Sequence, residues 1–293
     1  MNKINNIIPS DKKVKVIQNL NGGILIRAAI GGNTKPVVRK MKDNFYYNEE
    51  TGEVIERLSY SSIKGDNIHS LTKSLKKFAD MLYYNISDNK LALMYNLTYR
   101  EKTINTKQVM KDHEYFIKKL RNKYEIKYGN IEYFCSLEFN NNLDCLHIHG
   151  VLYFPNSKTK PIIPVDELMQ TWKKGYVDIT AAKNISSLIG YLIPHQTDSE
   201  KEYAKKMNEK YERLCKMPSG MNVFRHSKGM KHPVTEKMLY SEALSLLDNY
   251  QLETKRVFSK KVFIFKQGRF HHITYIYEYY SKKPDVIRPH SIQ

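Results

Sequence analysis

The chain is poor in acidic residues, in cysteine and in long apolar runs. Asp plus Glu number 30 against 48 Lys plus Arg over 293 residues, a formal net charge of +18 with a pI near 9.5. Such a surface attracts polyanions, nucleic acid first among them. The three cysteines, Cys135, Cys145 and Cys215, are odd in number and make no C-x-x-C pair, which excludes a disulfide framework and fits a reducing setting. No apolar run approaches bilayer length, and Met1-Asn2-Lys3 leads into no apolar segment. The expectation is a soluble, cytoplasmic chain with no membrane partner. Neither Gly22-Gly23 nor Gly31-Gly32 is followed by Gly-Lys-Ser/Thr, so a phosphate loop is excluded there. Trp172 is the one tryptophan, but 22 Tyr and 11 Phe accompany 41% hydrophobic residues. That content supports a packed core, excludes whole-chain disorder, and leaves rings to stack on bases.

The periodicity sets out the organisation. Residues 13–17, 24–27, 45–47 and 54–58 read as short strands, with a hairpin turn at Glu50-Thr51-Gly52. Ile68, Leu71, Leu75, Phe78 and Leu82 fall at helical spacing and predict a helix over 68–85. A strand over 91–99, a helix over 106–124 and strands over 131–139 and 143–154 follow, the last two joined through Asn140-Asn141-Asn142. Next come a short helix (166–172), a strand (175–179), a helix (181–192) broken near Pro194, and a charged helix (198–216). The end reads as a helix over 236–250 and a hairpin, 257–265 with 270–277, turning at Gln267-Gly268. The predicted fold class is α+β: a central antiparallel sheet with helices on one side, plus β-rich additions at both ends. The expected divisions are 1–65, 66–235 and 236–293.

The chemistry concentrates in Leu146-His147-Ile148-His149-Gly150. Alternate side chains of a strand share a face, so His147 and His149 project together, about 7 Å apart at roughly 3.3 Å per residue. Glu138 on the preceding strand falls opposite or diagonal to them once the chain turns at 140–142. Two imidazoles and a carboxylate suit Mn²⁺ or Mg²⁺ poised on a phosphate oxygen. Asp144 is a competing carboxylate of the other parity, and Cys145, of the histidine parity, leaves a zinc site open. Two histidines satisfied by solvent or the core are the plain alternative. Tyr191, on the helix after Trp172-Lys173-Lys174-Gly175, is a tyrosine that could attack a phosphodiester, or one packed aromatic among the 22 tyrosines. Tyr203, with Tyr211 behind it, is a second candidate.

Several motifs together resemble the HUH endonucleases, the rolling-circle replication initiators (Rep proteins) of plasmids, phages and related elements. Tyr95-Asn96-Leu97-Thr98-Tyr99 is similar to their first motif, and Glu138 with His147-Ile148-His149 to their second. Trp172-x-x-Gly175 is similar to a strand many of them carry. Tyr191 falls where their third motif places the nucleophile. Phe224-Arg225-His226-Ser227-Lys228-Gly229-Met230-Lys231-His232-Pro233 resembles a basic closing segment. The resemblance spans roughly 68–235. It implies an HUH/RRM-like nickase core with Glu138, His147 and His149 as metal ligands and Tyr191 as nucleophile. Single-stranded or hairpin origin DNA would be the partner, with Lys173, Lys174, Arg225, Lys228 and Lys231 on its backbone. The products implied are a 5′-phosphotyrosine link and a free 3′-OH for a host polymerase. No helicase motif is present, so the host would supply that activity. One departure stands out: Pro194 occupies the place of the usual lysine in Tyr191-x-x-Pro194, with His195 next to it as a substitute polar partner. A fold that binds the origin without cleaving it, or a relaxase or transposase of the same chemistry, is the competing expectation.

Overall fold

A computed structural model describes residues 8–20, 22–31, 38–41, 45–48, 52–56, 62–183, 185–193, 202–264 and 269–283. Two compact units divide the chain: residues 61–232 form one, and residues 1–60 with 233–293 form the other.

The central unit begins at helix α1 (Ile68–Asn85), where the Asn67 side chain accepts from the Ser70 N–H at 3.0 Å, a side-chain N-cap. Leu71, Leu75, Phe78 and Leu82, the spacing read from the sequence, are all buried. Strand β1 (Ala92–Leu97) is followed by helix α2 (Thr106–Tyr128), capped by Asn105 on the Gln108 N–H. Helix α2 runs four residues past its expected end at 124 and stops at Gly129, whose φ of 74° suits glycine. Strands β2 (Glu132–Phe139) and β3 (Leu146–Tyr153) form the expected hairpin. The Asn140 side chain shapes the turn by accepting from the N–H groups of Asp144 and Cys145. Helix α3 (Val165–Trp172), strand β4 (Val177–Ala181), helices α4 (Ile185–Leu192) and α5 (Glu202–Cys215), and strand β5 (Phe224–His226) complete the unit.

The sheet order is β5-β2-β3-β1-β4, with every pair antiparallel. The α+β architecture with a central antiparallel sheet and flanking helices is therefore present. The expectation of helices on one side is corrected: both faces are covered. Phe78 of α1 packs on Phe134 and Phe224, and Tyr191 of α4 on His149. On the opposite face, His113 and Phe116 of α2 pack on Tyr95, and Trp172 of α3 packs on Phe116. Strand β2 is accordingly buried along nearly its whole length, which erases the alternation of a half-exposed strand.

The terminal segments do not extend this sheet. Lys13–Gln18, Ile24–Ile30, Glu236–Leu239, Tyr250–Ile264 and Arg269–Lys282 build a second five-stranded antiparallel sheet in which both ends of the chain take part. Val38–Lys40, Phe45–Asn48 and Val54–Glu56 form a three-stranded sheet. The helix expected over 236–250 is corrected. Glu236–Leu239 pairs with Lys13–Val16, and only Tyr240–Ser245 is helical. Edge pairing here outweighs an amphipathic pattern. Among the described residues no helix is long and apolar enough to cross a membrane. The expected turn residues Glu50, Thr51, Gln267 and Gly268, and the Pro194–His195 departure, lie outside the described residues.

Candidate active site

Register gathers the site on one face of the central sheet. Glu138 is the direct cross-strand partner of His147. His149 lies between Ser136 of β2 and Asn96 of β1, and Asn96 faces Asp178 of β4. The residues expected as ligands thus stand in two adjacent rows, as the hairpin geometry requires.

Helix α4 lays Tyr191 over this face. Its hydroxyl lies 3.2 Å from His149 Nδ1 and donates to the Tyr95 carbonyl at 2.7 Å. The rings of Tyr191 and His149 meet edge to face, with centroids 5.3 Å apart. Burial, with the carboxylates of Asp178 and Glu138, pushes the Tyr191 phenol well above its ordinary value, so it is protonated at neutral pH. Burial pushes His149 down to about 3, assisted by the charge of Lys210. Burial also lowers His147, which Glu138 opposes. Both imidazoles are therefore neutral, the form in which they bind metals.

Helix α5 brings two cations that the sequence reading did not single out. Lys210 Nζ stands 2.9 Å from Glu138 Oε2, and Arg213 reaches Glu138 Oε1 at 2.5 Å. Lys210 also donates to the Tyr191 carbonyl at 2.7 Å and sits 5.6 Å from the centre of its ring. Burial alone would raise Glu138, but Lys210, His149 and Arg213 outweigh it and hold the carboxyl below its usual range. The available signal was the spacing: residues 210 and 213 share a helix face, inside a run that otherwise reads as a solvated charged helix.

The donor set suits a divalent cation in kind. The single Tyr191 proton goes to the Tyr95 carbonyl. His149 Nδ1 is then the donor to the phenol oxygen, and Nε2 carries the lone pair. That lone pair faces Glu138 Oε2 at 3.3 Å, a buried oxygen with no hydrogen-bond partner. Two electron-rich atoms so placed are matched by a cation. The side chains are not gathered around one point, however. Among the described residues no three His, Cys, Asp or Glu groups are placed to share an ion. Loading would require Glu138 to loosen from α5.

The other candidates fall elsewhere. Asp144 lies in the β2–β3 turn, bonded to Asn140 and Lys102. Cys145 is buried, its thiol directed to the Leu146 carbonyl at 3.7 Å. Lys173 is the left-handed cap of α3, and Lys174 lies 3.6 Å from Asp112 on α2. Arg225 is cross-strand from Cys135, so it belongs to the face opposite the histidines. Lys228 and Lys231 are exposed beyond β5, where the backbone of Lys231 is held by Asn85. These five basic residues are not gathered around Tyr191. Tyr203 falls on α5, with its side chain outside the described residues, as is His195.

Two glycines of the motifs have packing reasons. A Cβ on Gly150 would lie 2.1 Å from the Tyr95 ring, which crosses to bond His113 at 2.6 Å. A Cβ on Gly175 would lie 2.2 Å from the Thr98 carbonyl, which also accepts from the Trp172 indole at 2.8 Å.

No curated protein and no solved structure matches the chain. Residues 92–200, the stretch that carries Glu138, His147, His149 and Tyr191, match the model of the family described as Replication-associated protein ORF2, which supports a role in replication.

Proposed function

We propose that the central unit is an HUH-type nickase that initiates rolling-circle replication by cutting single-stranded origin DNA. The observation that carries this reading is the meeting of Tyr191 and His149, 42 residues apart in sequence and 3.2 Å apart in space. Tyr191 Oη attacks the scissile phosphorus, and its proton leaves to water. The O–P bond forms as the bond to the 3′ oxygen breaks, and that oxygen takes a proton. The products are a 5′-phosphotyrosine and a free 3′-OH, the primer for a host polymerase behind a host helicase. The phosphotyrosine link conserves the phosphodiester energy, so the reverse reaction rejoins the ends without ATP. His149 Nδ1–H stabilises charge growing on the phenol oxygen. Glu138, His147 and His149 would hold Mn²⁺ or Mg²⁺, which when bound supplies Lewis-acid polarisation of the phosphate.

The test is incubation with labelled single-stranded DNA of the parent replicon, with Mn²⁺ or EDTA, read on a denaturing protein gel. A labelled adduct that is absent with EDTA, in Tyr191→Phe and in His147→Ala is expected. An adduct that persists in Tyr191→Phe overturns the assignment. The pairing of Glu138 with Lys210 and Arg213 favours one second reading, an origin-binding protein that does not cleave. Tight binding with no adduct under any metal would establish it.

A further inference from the structure

We propose that Lys210, Arg213 and Ser136 form a binding site for a phosphodiester oxygen of single-stranded DNA, with Glu138 occupying the two cations when DNA is absent. Two cations converge on one carboxylate, with side-chain exposures of only 12% for Lys210, 18% for Arg213 and 10% for Glu138. The adjoining imidazoles carry no charge near neutral pH, since burial depresses both. Asp178, the other carboxylate of these rows, is exposed on the edge strand β4. The cluster therefore carries surplus positive charge away from water, an arrangement that is costly until an anion completes it.

Three further features point to that anion. Arg213 Nε is buried without a hydrogen-bond partner, and so is the hydroxyl of Ser136, which is 3% exposed. Ser136, Glu138 and Lys210 line one small cavity against the sheet, closed by Leu192 and Phe224. The guanidinium fork, the ammonium and the hydroxyl are all donors, matched to an acceptor-only phosphate oxygen. Lys210 also touches the Tyr191 backbone, so an oxygen held there lies beside the tyrosine. The identity of the ligand as DNA rests on the reading given under the proposed function; the anion site itself does not.

The experiment measures binding of a fluorescein-labelled single-stranded oligonucleotide to the full chain in EDTA, across a salt series. Each phosphate that is no longer neutralised lowers the slope of log K against log salt by about 0.7 for single strands. Lys210→Gln and Arg213→Gln are each expected to reduce the slope by about 0.7 and to weaken binding several-fold. Lys111→Gln, an exposed site on α2, is expected to keep the wild-type slope, as is the charge-conserving Lys210→Arg. Wild-type slopes in both glutamine variants overturn the proposal, and so does a reduced slope in Lys210→Arg. Thermal unfolding of each variant confirms that a folded chain is being titrated. The two readings fail separately. Reduced slopes without any Tyr191 adduct leave the phosphate site and remove the nickase; an adduct with unchanged slopes does the reverse.

Discussion

Tyr191 and His149 hold each other in place across the α4–sheet contact. The phenol lies 3.2 Å from Nδ1 while its proton is committed to the Tyr95 carbonyl at 2.7 Å. A tyrosine so fixed has few rotamers left to lose on the way to an in-line attack. Replacement by Phe removes the hydroxyl and one hydrogen bond, at a cost of about 1 kcal/mol. The Tyr191→Phe chain is therefore expected to stay folded by circular dichroism while losing the covalent adduct. A Tyr191→Phe chain that unfolds would make the residue structural.

Glu138→Gln tests the carboxylate as a counter-charge. The substitution leaves Lys210 and Arg213 sharing a neutral amide in a largely buried setting. A loss of about 3 kcal/mol is expected, the range for breaking a buried pair from one side. Urea unfolding should show it, with His147→Ala, which strands no charge, clearly milder. Equal stability of the two variants would mean the ion pairs contribute little.

Gly150→Ala tests the close approach of Tyr95. The added methyl meets a ring fixed by His113, and overpacking of this kind costs about 1–3 kcal/mol. Tyr95→Ala in the same chain makes room for the methyl. The two changes together should then cost less than the sum of each alone. Strict additivity in thermal melts would remove the clash as the cause.

His113 sets a pH dependence. It is fully buried, bonded to the Tyr95 hydroxyl at 2.6 Å, and pushed down to about 3 by burial and by the charge of Arg225. The unfolded chain binds its proton near the ordinary value of 6.5, so between 6.5 and 3 the unfolded state carries more protons. Stability from the neutral imidazole is complete above pH 6.5 and is lost as pH falls toward 3, at up to about 1.4 kcal/mol per pH unit. His113→Phe is expected to flatten this slope in denaturation series between pH 7 and 4, even if less stable overall. An unchanged slope would assign the acid sensitivity to other groups.

Much of the fold was legible where one physical signal dominated. The apolar spacing of Leu71, Leu75, Phe78 and Leu82 gave α1 its ends as well as its buried face. The hairpin parity of Glu138 and His147 placed them as direct partners. The reading went astray where tertiary pairing outweighed local pattern. Residues 236–250 carry a helical stripe, yet Glu236–Leu239 is drawn into pairing with Lys13–Val16 from the far end of the chain.

What the sequence determined by itself is the local chemistry: two imidazoles of one parity, a carboxylate within a hairpin's reach, a tyrosine on a following helix. These follow from the two-residue period of a strand and the short loop 140–145, both fixed by neighbours in the chain. Only the tertiary structure decided which charges meet that carboxylate. Lys210 and Arg213 lie 72 and 75 residues from Glu138 in a helix whose polar face looks solvated, and they reach it because α5 packs on the histidine face of the sheet. Pairing at that separation depends on how the apolar faces of several elements bury one another, which no local pattern specifies.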